Sequence, residues 1–314
     1  MTDVSVIIVS WNTKALLRAC LHSVYEQTRK YKAEVWVVDN NSPDKSADMV
    51  AEEFPQVHLI ANPDNKGFAG GNVQAMNLAT GKYILLLNPD TIVLDGAIDK
   101  MIDYAEVHKN DKIGVITCKL LNDDLTLQKS VNSFYSFWGS FIENRFISGI
   151  LAKMNIEPKG FTSYWDHSTE REIDWAYGAV MLFSKELMDK VGVLDENFFI
   201  YAEEMDYFLR VRKAGYRSVF LPDIEIIHLG KSSSRQKRAA MFIQNYKSFY
   251  LFLKKHYSGL SYFAYRLRAT IYLLLWYIRF SFGNSDESKE QKKVYAETLK
   301  WHFSAESFDI KTLK

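Results

Sequence analysis

Tyr83-Ile84-Leu85-Leu86-Leu87-Asn88-Pro89-Asp90-Thr91 is the stretch whose reading decides the fold of this chain. Its apolar run, bounded by Gly81 before and Asn88-Pro89 after, has the length and composition of a strand buried on both faces. Pro89 cannot donate to a ladder, so the chain leaves the sheet there and presents Asn88 and Asp90 at the strand's carboxyl end. In open α/β sheets that end is where ligands sit. A carboxylate beside an amide there suits a hard divalent cation carrying substrate phosphates, because such ions take oxygen ligands and keep open positions. An Asx-Pro turn with a solvated aspartate is the plainer alternative.

The residues before this stretch repeat one rhythm. Val4 to Val9 is a β-branched run ended by Ser10-Trp11-Asn12-Thr13, which can cap a helix carrying Leu17, Leu21 and Val24. Val35 to Val38 is a second buried strand, closed by Asp39-Asn40-Asn41-Ser42-Pro43 and followed by a helix through Phe54. Val57 to Ala61 is a third strand, and Lys66-Gly67-Phe68-Ala69-Gly70-Gly71-Asn72 opens a helix to Ala79. Strand and helix alternating this way imply right-handed crossovers and a parallel sheet. Ser10 to Asn12, Asp39, the Lys66 to Asn72 turn and Asn88 to Asp90 then share one edge, a layout that suits a nucleotide. The glycines spell neither G-x-G-x-x-G after the first strand nor a P-loop. They serve either close helix packing or ligand approach.

Beyond Asp90 the pattern predicts a helix from Asp95 to about His108 and a strand near Ile113 to Thr117. Leu120 to Arg171 has no clear period but many aromatics, among them Phe134, Tyr135, Phe137 and Trp138, and reads as an insertion that borders an acceptor groove or packs internally. A strand follows from Ile173 to Phe183, containing Trp175 and Gly178. Glu203, Glu204 and Asp206 then open a helix under Phe198, Phe199 and Tyr201. One acid suffices to cap a helix, whereas crowded carboxylates under aromatic rings are a means of raising one pKa for a general base. Val219 to Leu221 and Ile224 to Ile227 lead to His228 and to Lys231-Ser232-Ser233-Ser234-Arg235-Gln236-Lys237-Arg238, a loop that either folds over phosphates or is simply solvated.

From Ala239 the chain is helical, and Tyr262 to Phe282 is mostly apolar but contains Arg266, Arg268 and Arg279. Its charge-free core, Ala269 to Ile278, is about half the roughly 20 residues a spanning helix needs. A helix lying in a membrane surface, with Leu273, Leu274, Leu275, Trp276 and Ile278 inward and the arginines and Lys254-Lys255 at headgroup level, is one reading; internal packing or a homo-oligomer contact is the other.

Composition narrows the class. The 314 residues carry 39 basic and 38 acidic side chains, a net charge of +1, so no whole-molecule field favours nucleic acid. Cys20 and Cys118 show no metal-binding spacing, which implies a reduced, cytosolic setting. The amino-terminal run lacks a basic n-region and a cleavage site, so the expectation is a protein that is not secreted.

Taken in order, these motifs resemble the inverting, metal-dependent family 2 glycosyltransferases of GT-A fold, particularly rhamnosyltransferase-like bacterial members, from about Val4 to Lys231. The resemblance implies an α/β GT-A domain over residues 1–230, a Rossmann-like, mostly parallel sheet flanked by helices, with a basic loop and C-terminal helical extension over 231–314. It implies donor contacts from Ser10, Asn12, Asp39, Lys66, Gly67, Asn72, Asn88, Trp175, Lys231 and Arg235, a divalent cation (Mg2+ or Mn2+) on Asp90 and His228, and Glu204 as base. Asn88 stands where the family's D-x-D motif has its first aspartate, and Glu204 where an aspartate is common. The implied partners are a dTDP- or UDP-sugar and a bacterial surface-glycan or lipid-linked acceptor, at the inner face of the cytoplasmic membrane. A catalytically silent nucleotide-sugar-binding or scaffold subunit is the alternative. A nucleotidyltransferase is disfavoured, since no Gly-rich basic loop follows the first strand.

Overall fold

The structure, a computed structural model, describes residues 2–136, 165–230 and 238–309. They divide into two compact units: residues 1–196 with 204–233, and residues 197–203 with 234–314.

In the first unit β1 (Val4–Ser10) is buried along its whole length, as its β-branched run demands. β2 (Ala33–Asp39) and then β3 (His58–Ala61) add in parallel on one side, and β4 (Tyr83–Leu87) on the other. Helices α1 (Lys14–Gln27), α2 (Ser46–Glu53) and α3 (Gly67–Met76) connect them. The α1 stripe of Leu17, Leu21 and Val24 is fully buried. Thr13 makes no side-chain cap; the Lys14 N–H donates to Asp44 Oδ2 at 2.7 Å instead. One acid from the next strand-to-helix turn thus satisfies an orphan donor of the first.

The remaining strands break the alternation. After Pro89 comes a short β5 (Thr91–Val93), then α4 (Ala97–Val107), β6 (Ile113–Leu121), β7 (Leu127–Gln128) and β8 (Val131–Asn132). The single strand expected from Ile173 to Phe183 is instead three pieces, β9 (Arg171–Ile173), β10 (Trp175–Ala176) and β11 (Val180–Ser184). α5 (Lys185–Val191), α6 (Glu203–Lys213) and β12 (Arg217–His228) follow. The sheet order is β3-β2-β1-β4-β11-β6-β12-β5; β7 joins β6, β9 joins β12, and β8 with β10 form a separate pair. β11 runs antiparallel between β4 and β6, so the sheet is mixed, though mostly parallel. Val180 to Phe183 are buried to within 1%, which qualifies β11 for the sheet centre, but burial says nothing of strand direction. β12 joins two expected strands by a register shift between Leu221 and Glu225, where Pro222 costs no ladder bond.

In the second unit are α7 (Arg238–His256), α8 (Gly259–Ser281), α9 (Asp286–His302) and α10 (Ala305–Phe308). Arg266, expected at headgroup level, is 6% exposed and clamps this unit from inside. It donates to the carbonyls of His302 (2.6 Å) and Ser307 (2.8 Å), and its guanidinium lies 3.8 Å from the Phe308 ring centroid. The reason is that the ends of α9 and α10 leave orphan carbonyls, and a guanidinium has enough donors for several at once. Lys254 similarly donates to the Phe308 carbonyl at 2.5 Å. No described helix is long and apolar enough to cross a membrane.

Candidate functional site

The parallel register aligns Ser10 with Asp39 at the carboxyl ends of β1 and β2. The turn beyond is zipped by the Asn40 N–H donating to the Ser10 carbonyl, the Asn12 N–H to Ser42 Oγ and the Ser42 N–H to Asp39 Oδ2, each at 2.9 Å. Asn12 is left-handed (φ 58°), a conformation asparagine tolerates. Asp39 is 3% exposed, and its other oxygen, Oδ1, is buried with no hydrogen-bond partner among the described residues. A buried acceptor left open at a strand end is suited to a ligand hydroxyl or N–H.

Asn40 ties this turn to α3, donating to the Gly67 carbonyl at 2.9 Å and accepting from Asn62 at 3.0 Å. Gly67 has a positive φ of 77°. A Cβ on Gly71 would lie 2.8 Å from Val9, so this glycine serves close packing of α3 on β1. Asn72 is 1% exposed and donates to the Phe68 carbonyl, while Lys66 pairs with Asp64 at 2.7 Å on the surface.

At the other side of the edge, β5 pairs with β12 so that Thr91 faces His228, and the Leu229 N–H donates to the Asp90 carbonyl. This brings His228 Nε2 within 3.3 Å of both Asp90 Oδ1 and Asn88 Nδ2. Gln128, at the end of β7, holds the far side of the ring: its Oε1 lies 2.6 Å from His228 Nδ1, and its Nε2 donates to the His228 carbonyl at 3.0 Å. An amide oxygen only accepts, so Nδ1 carries a proton, and Nε2 is the ring nitrogen turned toward Asn88 and Asp90. A ring nitrogen and a carboxylate oxygen converging at the ligand edge are a donor set that fits a divalent ion. Among the described residues no three His, Cys, Asp or Glu side chains gather around one point. A two-ligand protein share leaves the other positions to phosphate and water, as Mg2+ prefers. Gln128 is absent from the sequence reading, and nothing local to it signals its role.

The three acids of α6 are sorted by their surroundings. Asp206 is fully buried and paired with Arg210 at 2.7 Å; the same guanidinium donates to the carbonyls of Val191 and Val193 at 2.8 Å each. Glu203 is 3% exposed and belongs to the second unit, whereas Glu204 is half-buried in the first. A Cβ on Gly178 would lie 3.5 Å from Glu204 Cβ and from the Phe68 ring, which gathers these three residues. The Tyr177 phenol is pushed up, by desolvation first and then by the charge of Glu204. Trp175 is half-buried, donating to the Ser133 carbonyl at 3.0 Å, with its ring 6.2 Å from Tyr177. The residues expected over the acids, Phe198, Phe199 and Tyr201, all belong to the second unit, where Lys255 lies over the Phe198 ring. Lys231 and Arg235, and the loop they were to form, lie outside the described residues, as do Phe137 and Trp138.

Comparison with known proteins agrees with this architecture. N-acetylglucosaminyl-diphospho-decaprenol L-rhamnosyltransferase of Mycobacterium tuberculosis is 25% identical over 280 residues, covering 82% of this chain and 87% of that protein. Rhamnosyltransferase WbbL of Escherichia coli is 24% identical over 259 residues, 80% of this chain and 93% of that one. The mannosyltransferase PcManGT from Pyrobaculum calidifontis, solved with GDP-Man and Mn2+, shares the fold with a TM-score of 0.53 at 16% identity, over 99% of this chain and 90% of that one. The model of glycosyl transferase family 2 matches residues 5–190, and the chain belongs to that family.

Proposed function

We propose that this glycosyltransferase moves one sugar, rhamnose, from a dTDP- or UDP-linked donor to a hydroxyl of a lipid-linked surface glycan, with inversion at the anomeric carbon. The observation that carries the reading is the Asp90–His228 pair at the ligand edge, with the His228 ring oriented by Gln128 so that Nε2 faces the carboxylate. The activities of the two similar rhamnosyltransferases, one of them on a diphospho-decaprenol, support the choice of sugar and acceptor.

In this reading Asp39 Oδ1 takes a donor hydroxyl or N–H, and Ser10, Asn12, Lys66, Asn88 and Trp175 border the nucleotide sugar, completed by Lys231 and Arg235. Asp90 and His228 hold the cation, which when bound neutralises the diphosphate as it leaves. Glu204 accepts the proton of the attacking hydroxyl. The new bond forms between that oxygen and the anomeric carbon, the bond from that carbon to the diphosphate oxygen breaks, and the nucleoside diphosphate leaves with the electron pair. Asp206, fully buried against Arg210, has a structural role, and Glu204, gathered with Gly178 and Phe68, is the acid assigned as base.

The test is a panel of nucleotide sugars assayed for binding and for transfer to a lipid-diphosphate acceptor, with Mg2+, Mn2+ or chelator, alongside Asp90→Asn. Expected are a preference for one deoxyhexose donor, loss of transfer with chelator, and a folded but nearly inactive Asp90→Asn. Near-normal, chelator-insensitive turnover in that variant would overturn the assignment.

A further inference from the structure

The helix α8 is apolar on two opposite faces. Arg266, Ala269 and Leu273 are buried within the helical unit. On the other side Phe263, Leu267, Ile271, Leu275, Ile278 and Phe282 recur every three or four residues, and each is at least half exposed, Phe282 reaching 83%. At about 1.5 Å per residue this stripe runs roughly 30 Å along the surface. A helix that is apolar all round is ordinarily covered all round, so a stripe of this length calls for an occupant.

Charge identifies the occupant. Between Gly259 and Phe282 there is no aspartate or glutamate. Arg268 and Arg279 lie on one flank of the stripe, eleven positions apart, each with its guanidinium about 5 Å from an aromatic ring, that of Tyr265 or Trp276. A second copy docked helix to helix would bring arginines toward arginines with no carboxylate from α8 between them. An anionic lipid surface offers the complementary charge, takes apolar side chains at acyl depth, and suits aromatic rings and guanidinium groups at headgroup level. No described helix qualifies to span, so the contact lies in the plane of the surface.

We propose that the outward face of α8 docks the protein on a bilayer surface carrying anionic headgroups. The residues that insert are the exposed stripe; Arg268 and Arg279 meet the headgroups, and Arg266, buried as a clamp, does not. This inference goes beyond glycosyl transfer and stands independently of it.

The experiment is co-sedimentation of the full chain with vesicles of equal parts phosphatidylglycerol and phosphatidylcholine, and with phosphatidylcholine alone. Leu267→Glu with Ile278→Glu alters exposed positions only and keeps the fold, as checked by circular dichroism and Tm. Expected is binding to the mixed vesicles that weakens with salt, falls at least ~10-fold in the double glutamate variant, and falls by about that much in Arg268→Gln with Arg279→Gln. Nucleotide-sugar binding stays unchanged in both variants. Absence of binding to mixed vesicles at low salt overturns the proposal. So does equal binding by the glutamate variant. A concentration-dependent dimer, seen by light scattering and abolished by the same glutamates in a chain that ignores vesicles, overturns it in favour of a second copy.

Discussion

Gln128 and His228, separated by 100 positions, grip each other reciprocally: the ring Nδ1–H donates to the amide oxygen at 2.6 Å, and the amide NH2 donates to the histidine's own carbonyl at 3.0 Å. The amide is itself anchored, donating to Asn122 Oδ1 at 3.0 Å. The grip sets both the tautomer and the orientation of the ring, the two properties a metal-binding histidine needs from its outer partners.

Gln128→Leu therefore loses control of the tautomer while leaving Asp90 and His228 in the chain. Nitrogen-15 shifts of His228 are expected to change from one dominant tautomer to a mixture, and Mn2+ affinity to fall ~10–100-fold. Gln128→Glu keeps an acceptor for Nδ1 and is expected to retain the tautomer. Identical shifts in the wild type and the leucine variant would show that the grip has no such role.

Asp206 and Glu204 are expected to separate stability from turnover. Arg210→Met leaves the fully buried Asp206 without its cation, which costs about 3–5 kcal/mol and is read as a large drop in Tm. Glu204→Gln leaves the Asp206–Arg210 pair intact, so Tm stays near wild type while turnover falls ~100-fold or more. Loss of donor affinity in Glu204→Gln would instead assign this side chain to the donor.

Gly71→Ala tests the packing of α3 on β1. Its Cβ would come within 2.8 Å of one Val9 methyl and 3.1 Å of the other, so Val9 or the helix must move. The expected cost is about 1–3 kcal/mol, measured by chemical denaturation. Val9→Ala in the same chain is expected to restore part of the loss. No recovery would place the strain elsewhere.

The helical unit carries a pH dependence of definite sign. His302 is 1% exposed, with Tyr250 and Thr270 hydroxyls each 2.7 Å from its ring nitrogens. Burial first, and the Arg266 cation second, push its pKa down to about 4. The unfolded chain takes a proton at about 6.5, but the folded one does not. Stability from this group is thus complete above about pH 7 and declines as pH falls from there toward 4. Tm of the full chain is expected to follow that course, and His302→Gln to flatten it. An unchanged slope in the variant would exclude His302 as the source.

The amino-terminal half was legible because its signals are local. Apolar runs such as Val6–Val9 and Tyr83–Leu87 read as strands from local sequence, and a proline or Asx cluster after each names the residues at the ligand edge. The first four strands, their helices, and the approach of Ser10 to Asp39 follow from that rhythm. Direction and neighbour do not, because they depend on contacts between segments far apart in sequence. Only the tertiary structure inserted β11 antiparallel beside β4, carried β5 to the far edge against β12, and so delivered His228 to Asn88 across 140 positions. The same holds for charge. Composition presents Glu203, Glu204 and Asp206 as equivalent, and Arg266, Arg268 and Arg279 as equivalent. Folding made Asp206 an ion-pair partner and Arg266 an internal clamp, because a buried charge persists only where partners satisfy it, and those partners come from elsewhere in the fold.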